Sequence, residues 1–225
     1  MCRIHENPLG DEGIEKLVSG LLALHGAEIQ ENGNRIINGP ASAADDTPSD
    51  QSRPDHAEST GLDGSCTYQA SGEDNLPALK SLEIGACDMT TVGASAVARL
   101  IRANIGITSL SLTGNKQIDA NGWAEIADSL EQNTTITTLE LHHNGLENIS
   151  TGLITDALAR NTSIHTVDLE GNRIGNDGAE KIRQMLEVNT TLHTIHLHCG
   201  NQISESVLDS IEHLTTERQD PFSAT

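Results

Sequence analysis

SIHTVDLEGNRI, residues 163–174, places apolar side chains at Ile164, Val167, Leu169 and Ile174 and an asparagine at Asn172. The same spacing, LxxLxLxx(N/C) with small variations, returns in LPALKSLEIGACDM (76–89), GITSLSLTGNKQI (106–118), TITTLELHHNGL (135–146) and TLHTIHLHCGNQI (191–203). Its second apolar position falls at Leu82, Leu110, Leu139, Val167 and Ile195, so the steps are 28, 29, 28 and 28 residues. A fixed period of this length marks stacked repeats, each too thin to bury its apolar face alone.

Between the asparagines the pattern turns helical. GASAVARLIRAN (93–104), GWAEIADSLEQN (122–133), STGLITDALARN (150–161) and GAEKIRQMLEVN (178–189) carry apolar residues at helical spacing and close on Asn. Each repeat is therefore one strand and one helix, with strands expected near 81–84, 109–112, 138–141, 166–169 and 194–197. A strand alternates its side chains, so Leu110 and Leu112 point inward while Ser109, Ser111 and Thr113 point out. The asparagines after the strands, Asn115, Asn144 and Asn172, are placed to satisfy backbone groups that the turn leaves unpaired. Asn133, Asn161 and Asn189 each open an NTT or NTS sequon. Their recurrence at one phase reads as a helix C-cap and not as a glycosylation site.

With its 28-residue period, its G(A)xxIxxxL helices and its NTT turns, the LxxLxLxxN pattern resembles the ribonuclease-inhibitor type of leucine-rich repeat. That type is also found in NOD-like receptors, Ran GTPase-activating proteins and the tropomodulin C-terminal domain. The resemblance covers residues 75–214. It implies an α/β solenoid, a right-handed horseshoe with parallel strands inside and helices outside, whose usual activity is to bind a partner.

Composition agrees with thin stacked layers. The 225 residues include one Trp, one Tyr and one Phe, so the core is aliphatic. With 33 acidic against 13 basic residues the formal charge is -20, which repels nucleic-acid phosphates and anionic membrane surfaces. No apolar run approaches the ~20 residues of a membrane span, and MCRIHENPLG lacks the apolar stretch of a secretory signal, so a cytoplasmic protein is expected. Cys2, Cys66, Cys87 and Cys199 form no CxxC pair. Cys87 stands where the repeat accepts Asn or Cys and reads as a buried structural thiol.

IHENPLGDEGIEKLVSGLLAL (4–24) aligns with VDLEGNRIGNDGAEKIRQML (167–186), with Ile4 in the last strand position, Asn7 at the asparagine and Gly13 at the helix glycine. Residues 1–26 thus read as a partial repeat that opens in mid-turn, and either a longer array or another element is expected to cover that end. The helix glycine precedes the next strand's first apolar residue by 14 from Gly93 to Ile107 and from Gly178 to Leu192, whereas Gly13 to Leu79 is 66. Fifty-two residues have entered one loop. Residues 27–74 hold ten acidic and two basic residues with little Ile, Leu or Val, and are expected to be disordered. Residues 75–214 form five repeats, and 215–225 a flexible tail.

Strand phase lines up the outward side chains in columns: Ser81, Ser109, Thr138, Thr166, Thr194; then Glu83, Ser111, Glu140, Asp168, His196; then Gly85, Thr113, His142, Glu170, His198. With parallel strands ~4.8 Å apart and i, i+2 side chains ~7 Å apart, Glu140, His142, Asp168, Glu170, His196 and His198 form a compact grid on the concave face. These are metal-ligating residue types, but a sheet holds them parallel where a metal needs them to converge. The grid reads instead as a pH-sensitive acidic recognition patch for another protein of basic character. No GxSxG, no GxxxxGK[ST] and no Cys–His arrangement points to an enzyme, and no cofactor or metal is implied. Two alternatives come with the resemblance. One is a GTPase activator of the Ran-activator type, for which Asn172 and Arg173 are the candidates; the other is tropomodulin-like actin-end binding. Oligomeric state is not readable.

Overall fold

The computed structural model describes residues 2–5, 9–29, 35–37 and 79–219. By its internal packing the chain divides into residues 1–37 with 78–225, and residues 38–77; the second unit lies outside the described residues. The first unit runs β1 (Cys2–His5), α1 (Gly10–Leu24), β2 (Ala27–Ile29), β3 (Arg35–Ile37), β4 (Ser81–Gly85), α2 (Thr91–Arg102), β5 (Ser109–Ser111), α3 (Ala120–Gln132), β6 (Thr138–Glu140), α4 (Asn148–Leu158), β7 (Thr166–Asp168), α5 (Asn176–Val188), β8 (Thr194–His196) and α6 (Glu205–Gln219).

Six strands form one parallel sheet in the order β1-β4-β5-β6-β7-β8, and from β4 onward each strand is joined to the next through one helix, so that each coil lies on the last. The five strands expected from the repeat are all present, and β1 joins them with Cys2 opposite Leu82 and Ile4 opposite Ile84. That register is the one the N-terminal alignment requires. One column of the core is Leu82, Leu110, Leu139 and Val167, the next Ile84, Leu112, Leu141, Leu169 and Leu197, all buried. Trp123, Ile126 and Leu130 of α3 pack on them from the helix side.

A ladder of buried carboxamides ties the coils together at the strand ends. Cys87 N–H donates to Asn115 Oδ1 (3.1 Å), Asn115 N–H to Asn144 Oδ1 (2.6 Å) and Asn144 N–H to Asn172 Oδ1 (2.9 Å). Cys87 is fully buried, and its thiol donates to Gly85 O. The residue before each rung turns left-handed: Ala86, Gly114, His143, Gly171 and Gly200 all have positive φ. At Gly171 this is combined with close approach, since a Cβ there would lie 2.0 Å from His143 Nδ1.

A second ladder runs along the helix ends. Asn133 and Asn189 are C-caps as expected, but both are extended, not left-handed, and Asn161 lies two residues past the α4 cap Ala159. Each Oδ1 accepts from two N–H groups that start the next strand, while Nδ2 donates back to the preceding coil, as Asn161 does to Leu130 O and Asn133 O. These asparagines are 2–4% exposed, which leaves no amide for a glycan in the folded chain.

Helix N-termini are also capped from the neighbouring coil. Asp11 of α1 accepts from Thr90 N–H and Gly93 N–H at 2.9 Å each and from the Thr90 hydroxyl at 2.5 Å. Burial pushes the Asp11 pKa up, but these hydrogen bonds prevail and hold it below the usual carboxylate value. Asn148 does the same for α5, whose own cap residue is Gly175: it accepts from Gly175 N–H (2.8 Å) and Gly178 N–H (3.1 Å).

Two boundaries differ from the sequence reading. Residues 27–29 and 35–37, inside the stretch expected to be disordered, pair as antiparallel strands, in which Ile29, Ile36 and Ile37 are the β-forming residues. The remainder of the insert lies outside the described residues. The helix α6 continues past 214 to Gln219, because nothing in TTERQ breaks it before Pro221.

Candidate partner-binding surface

Strand register builds the surface. Ser109, Thr138, Thr166 and Thr194 lie side by side, as do Ser111, Glu140, Asp168 and His196, each pair being direct Cα partners. The third column holds for Thr113, His142 and Glu170, whose carbonyls accept from Ala86, Gly114 and His143 N–H. It fails at His198. The next carbonyl in line, accepting from Gly171 N–H, belongs to Cys199, because the last turn carries one residue more between strand and asparagine.

Within the patch a polar chain crosses three strands. Ser111 Oγ and Thr113 Oγ1 share a hydrogen bond of 2.9 Å, Thr113 Oγ1 and His142 Nδ1 one of 3.3 Å, and His142 Nδ1 stands 3.4 Å from Asp168 Oδ2. Asp168 Oδ1 accepts the Glu170 N–H at 2.9 Å. Ser111 is 5% exposed and so is part of the support under the patch, not an outward contact. Sequence phase put Ser111 and Thr113 on this face, but their link to His142 depends on rotamers that spacing does not encode.

The six expected residues are thus brought together unevenly. His142 and Asp168 touch, Glu140 and His196 flank Asp168 in register, Glu170 adjoins it, and His198 is displaced by the extra residue. His196 and His198 are exposed and the others half-buried. Among the described residues Arg99 pairs with Glu15 and Arg183 with Glu180 and Glu187, all on helices, and Arg160, just past α4, pairs with Glu131 of α3. The Arg183 guanidinium holds Glu180 down to about 2. Among the described residues no Lys or Arg forms an ion pair with Glu140, Asp168 or Glu170; the basic group beside Asp168 is His142.

The geometry does not assemble a hydrolytic relay. A nucleophile, base and orienting acid need the two ring nitrogens of a histidine on different partners. Here the Thr113 hydroxyl and the Asp168 carboxylate approach the same Nδ1. Among the described residues no three His, Cys, Asp or Glu side chains are placed to hold a metal ion. Asn172 is 2% exposed with both amide atoms engaged in the ladder, so it is committed to the scaffold. Arg173 is exposed on the rim, 4.0 Å from Glu147. No helix among the described residues is long and apolar enough to cross a membrane.

A family model described as Leucine Rich repeat matches residues 160–182. Among solved structures the chain is similar to leiomodin-1 actin-binding site 2, with a TM-score of 0.55 and 20% identity over 63% of this chain and 82% of that one. It is also similar to the tropomodulin C-terminal domain from Caenorhabditis elegans, with a TM-score of 0.52 and 15% identity over 64% and 87%. Identities this low speak to fold alone. No curated protein matches the chain in sequence. The fold is a leucine-rich repeat solenoid.

Proposed function

We propose that this solenoid is a non-catalytic binding module that meets a basic protein segment on the open sheet face of β6, β7 and β8. The observation that carries the reading is the distribution of charge. Glu140, Asp168 and Glu170 share one face on which, among the described residues, no Lys or Arg pairs with them, while Arg99 and Arg183 pair with acids on the helices. The Ser and Thr columns beside them offer hydroxyls and no large anchors, so recognition is electrostatic, and binding weakens as salt rises.

The test uses affinity capture with the full chain, followed by titration of the captured protein against variants. Asp168→Asn with Glu170→Gln is expected to weaken binding roughly tenfold at every pH. Binding equal to that of the unsubstituted chain would remove the patch from the reading. Leiomodin-1 carries an actin-binding site on this fold, and that comparison favours actin as a second reading. Cosedimentation with actin filaments decides it.

A further inference from the structure

The ladder of strand-end asparagines contains one rung that its neighbour in the chain makes chemically labile. The residues that follow the rungs are Asp88, Lys116, Gly145, Arg173 and Gln202, so among the described residues Asn144-Gly145 is the ladder's one asparagine–glycine pair. The turn explains the glycine: Gly145 has φ +70°, while a Cβ added to it would meet nothing within 4 Å. In the coil of β4 the same turn position is filled by Asp88, also left-handed at φ +52°. Glycine satisfies the backbone, but with no Cβ it leaves its own nitrogen unshielded beside the asparagine side chain.

The reaction open to such a pair needs only water. The Gly145 nitrogen gives its proton to hydroxide and attacks Asn144 Cγ, and a five-membered imide closes. The Cγ–Nδ2 bond breaks, and the leaving nitrogen takes a proton from water to depart as ammonia, which restores the hydroxide. Water then opens one of the two C–N bonds of the imide, leaving aspartate or, with the chain rerouted through the side chain, isoaspartate. One water is consumed and one ammonia released. The fold holds this back. Asn144 Oδ1 accepts Asn115 N–H at 2.6 Å, its Nδ2 donates to Leu141 O at 2.9 Å, and its own N–H donates to Asn172 Oδ1 at 2.9 Å. The residue is 2% exposed. To bring Cγ to the Gly145 nitrogen, the carboxamide must release both of its hydrogen bonds and admit water.

We infer that Asn144 is a self-modification site gated by opening of the solenoid at β6: the closed ladder preserves the carboxamide, and each opening exposes it to deamidation. The product does not rebuild the rung. An aspartate keeps an acceptor for Asn115 N–H, but it has no proton for Leu141 O and carries a charge into a buried place. An isoaspartate also lengthens the backbone within a turn whose register the ladder sets. A reversible opening between β5 and β7 is thereby made permanent.

Peptide mapping by mass spectrometry tests this on the full chain, held in mildly alkaline buffer with and without urea. Conversion at position 144 is expected to be roughly tenfold or more slower in buffer than in urea. Asn172→Ala, which removes the acceptor of the Asn144 N–H, is expected to speed conversion in buffer. Gly145→Asp, a residue the matching turn already accepts at Asp88, is expected to slow it in urea. Asn144→Asp, which installs the product, is expected to melt below the unsubstituted chain. Equal rates in buffer and in urea would overturn the gating, and conversion in urea no faster than in Gly145→Asp would overturn the lability of the pair. An Asn144→Asp chain that melts like the unsubstituted one would show that the product does rebuild the rung, which overturns the permanence.

Discussion

Replacing Asn172 by Ala removes a side chain whose two amide atoms join two adjacent coils. Its Oδ1 accepts the N–H of Asn144 at 2.9 Å and of Leu146 at 3.1 Å, and its Nδ2 donates to the carbonyls of Leu141 at 3.0 Å and Leu169 at 2.8 Å. The carbonyls do not become orphans, since Asn144 Nδ2 also donates to Leu141 O and Asn201 Nδ2 to Leu169 O. The two N–H groups are left without acceptors in a buried place. At ~1–3 kcal/mol for each unsatisfied donor, the substitution costs ~2–6 kcal/mol. In a chain of this size that lowers the melting temperature by roughly 5–20 °C. Asn201→Ala is the internal comparison, because Asn201 is only partly buried and its Oδ1 accepts the N–H of Ile174 at 3.1 Å. It is expected to cost less than half as much. Thermal melts of both variants, monitored by circular dichroism, check the ordering. If Asn172→Ala melts within about 2 °C of the unsubstituted chain, or no lower than Asn201→Ala, the ladder does not hold the coils together.

Leu141→Ala should cost ~2–5 kcal/mol and Thr138→Ala on the open face less than ~0.5 in urea unfolding; equal losses would reverse the inside and outside of the sheet. Gly171→Ala is expected to lower the melting temperature, because its φ of +65° is left-handed and the new Cβ would meet the His143 ring; His143→Gly in the same chain should restore much of the loss. Asp11 has its folded pKa below the usual carboxylate value, so its stabilisation is present at neutral pH and lost as pH falls through the lower folded pKa. Acid melts should therefore show Asp11→Asn less stable at pH 7 and less sensitive to acid than the unsubstituted chain, and parallel curves would refute the capping role. Deleting residues 40–72 is expected to leave the melt within about 3 °C, since loop closure changes slowly with length; a larger loss would mean that the insert packs on the solenoid.

The repeat was legible because its apolar residues face inward from both strand and helix at one fixed period, so Leu82, Leu110, Leu139 and Val167 announce their own stacking. The same periodicity extended to β1, where Ile4 pairs with Ile84 as aligned. What spacing does not carry is the direction of a side chain. Asp11 and Asn148 look like ordinary helix residues in sequence, yet they cap the helices of the next coil. In the candidate site, the columns through Asp168 followed from register. The offset of His198 did not, because one extra residue between Leu197 and Asn201 shifts only the end of the strand. The hairpin at 27–37 was hidden by the acidic composition around it, which a few β-forming residues override locally.

The claim that the sheet face meets the partner is tested most directly by photocrosslinking from single positions. A photoreactive residue at Thr166, between the columns of β6 and β8, is compared with one at Gln184, exposed on α5. At pH 7.5 the account predicts a discrete crosslinked adduct from position 166 and none from 184, and a weaker adduct as salt rises. An adduct from 184 with none from 166 would place the partner on the helices and contradict the account.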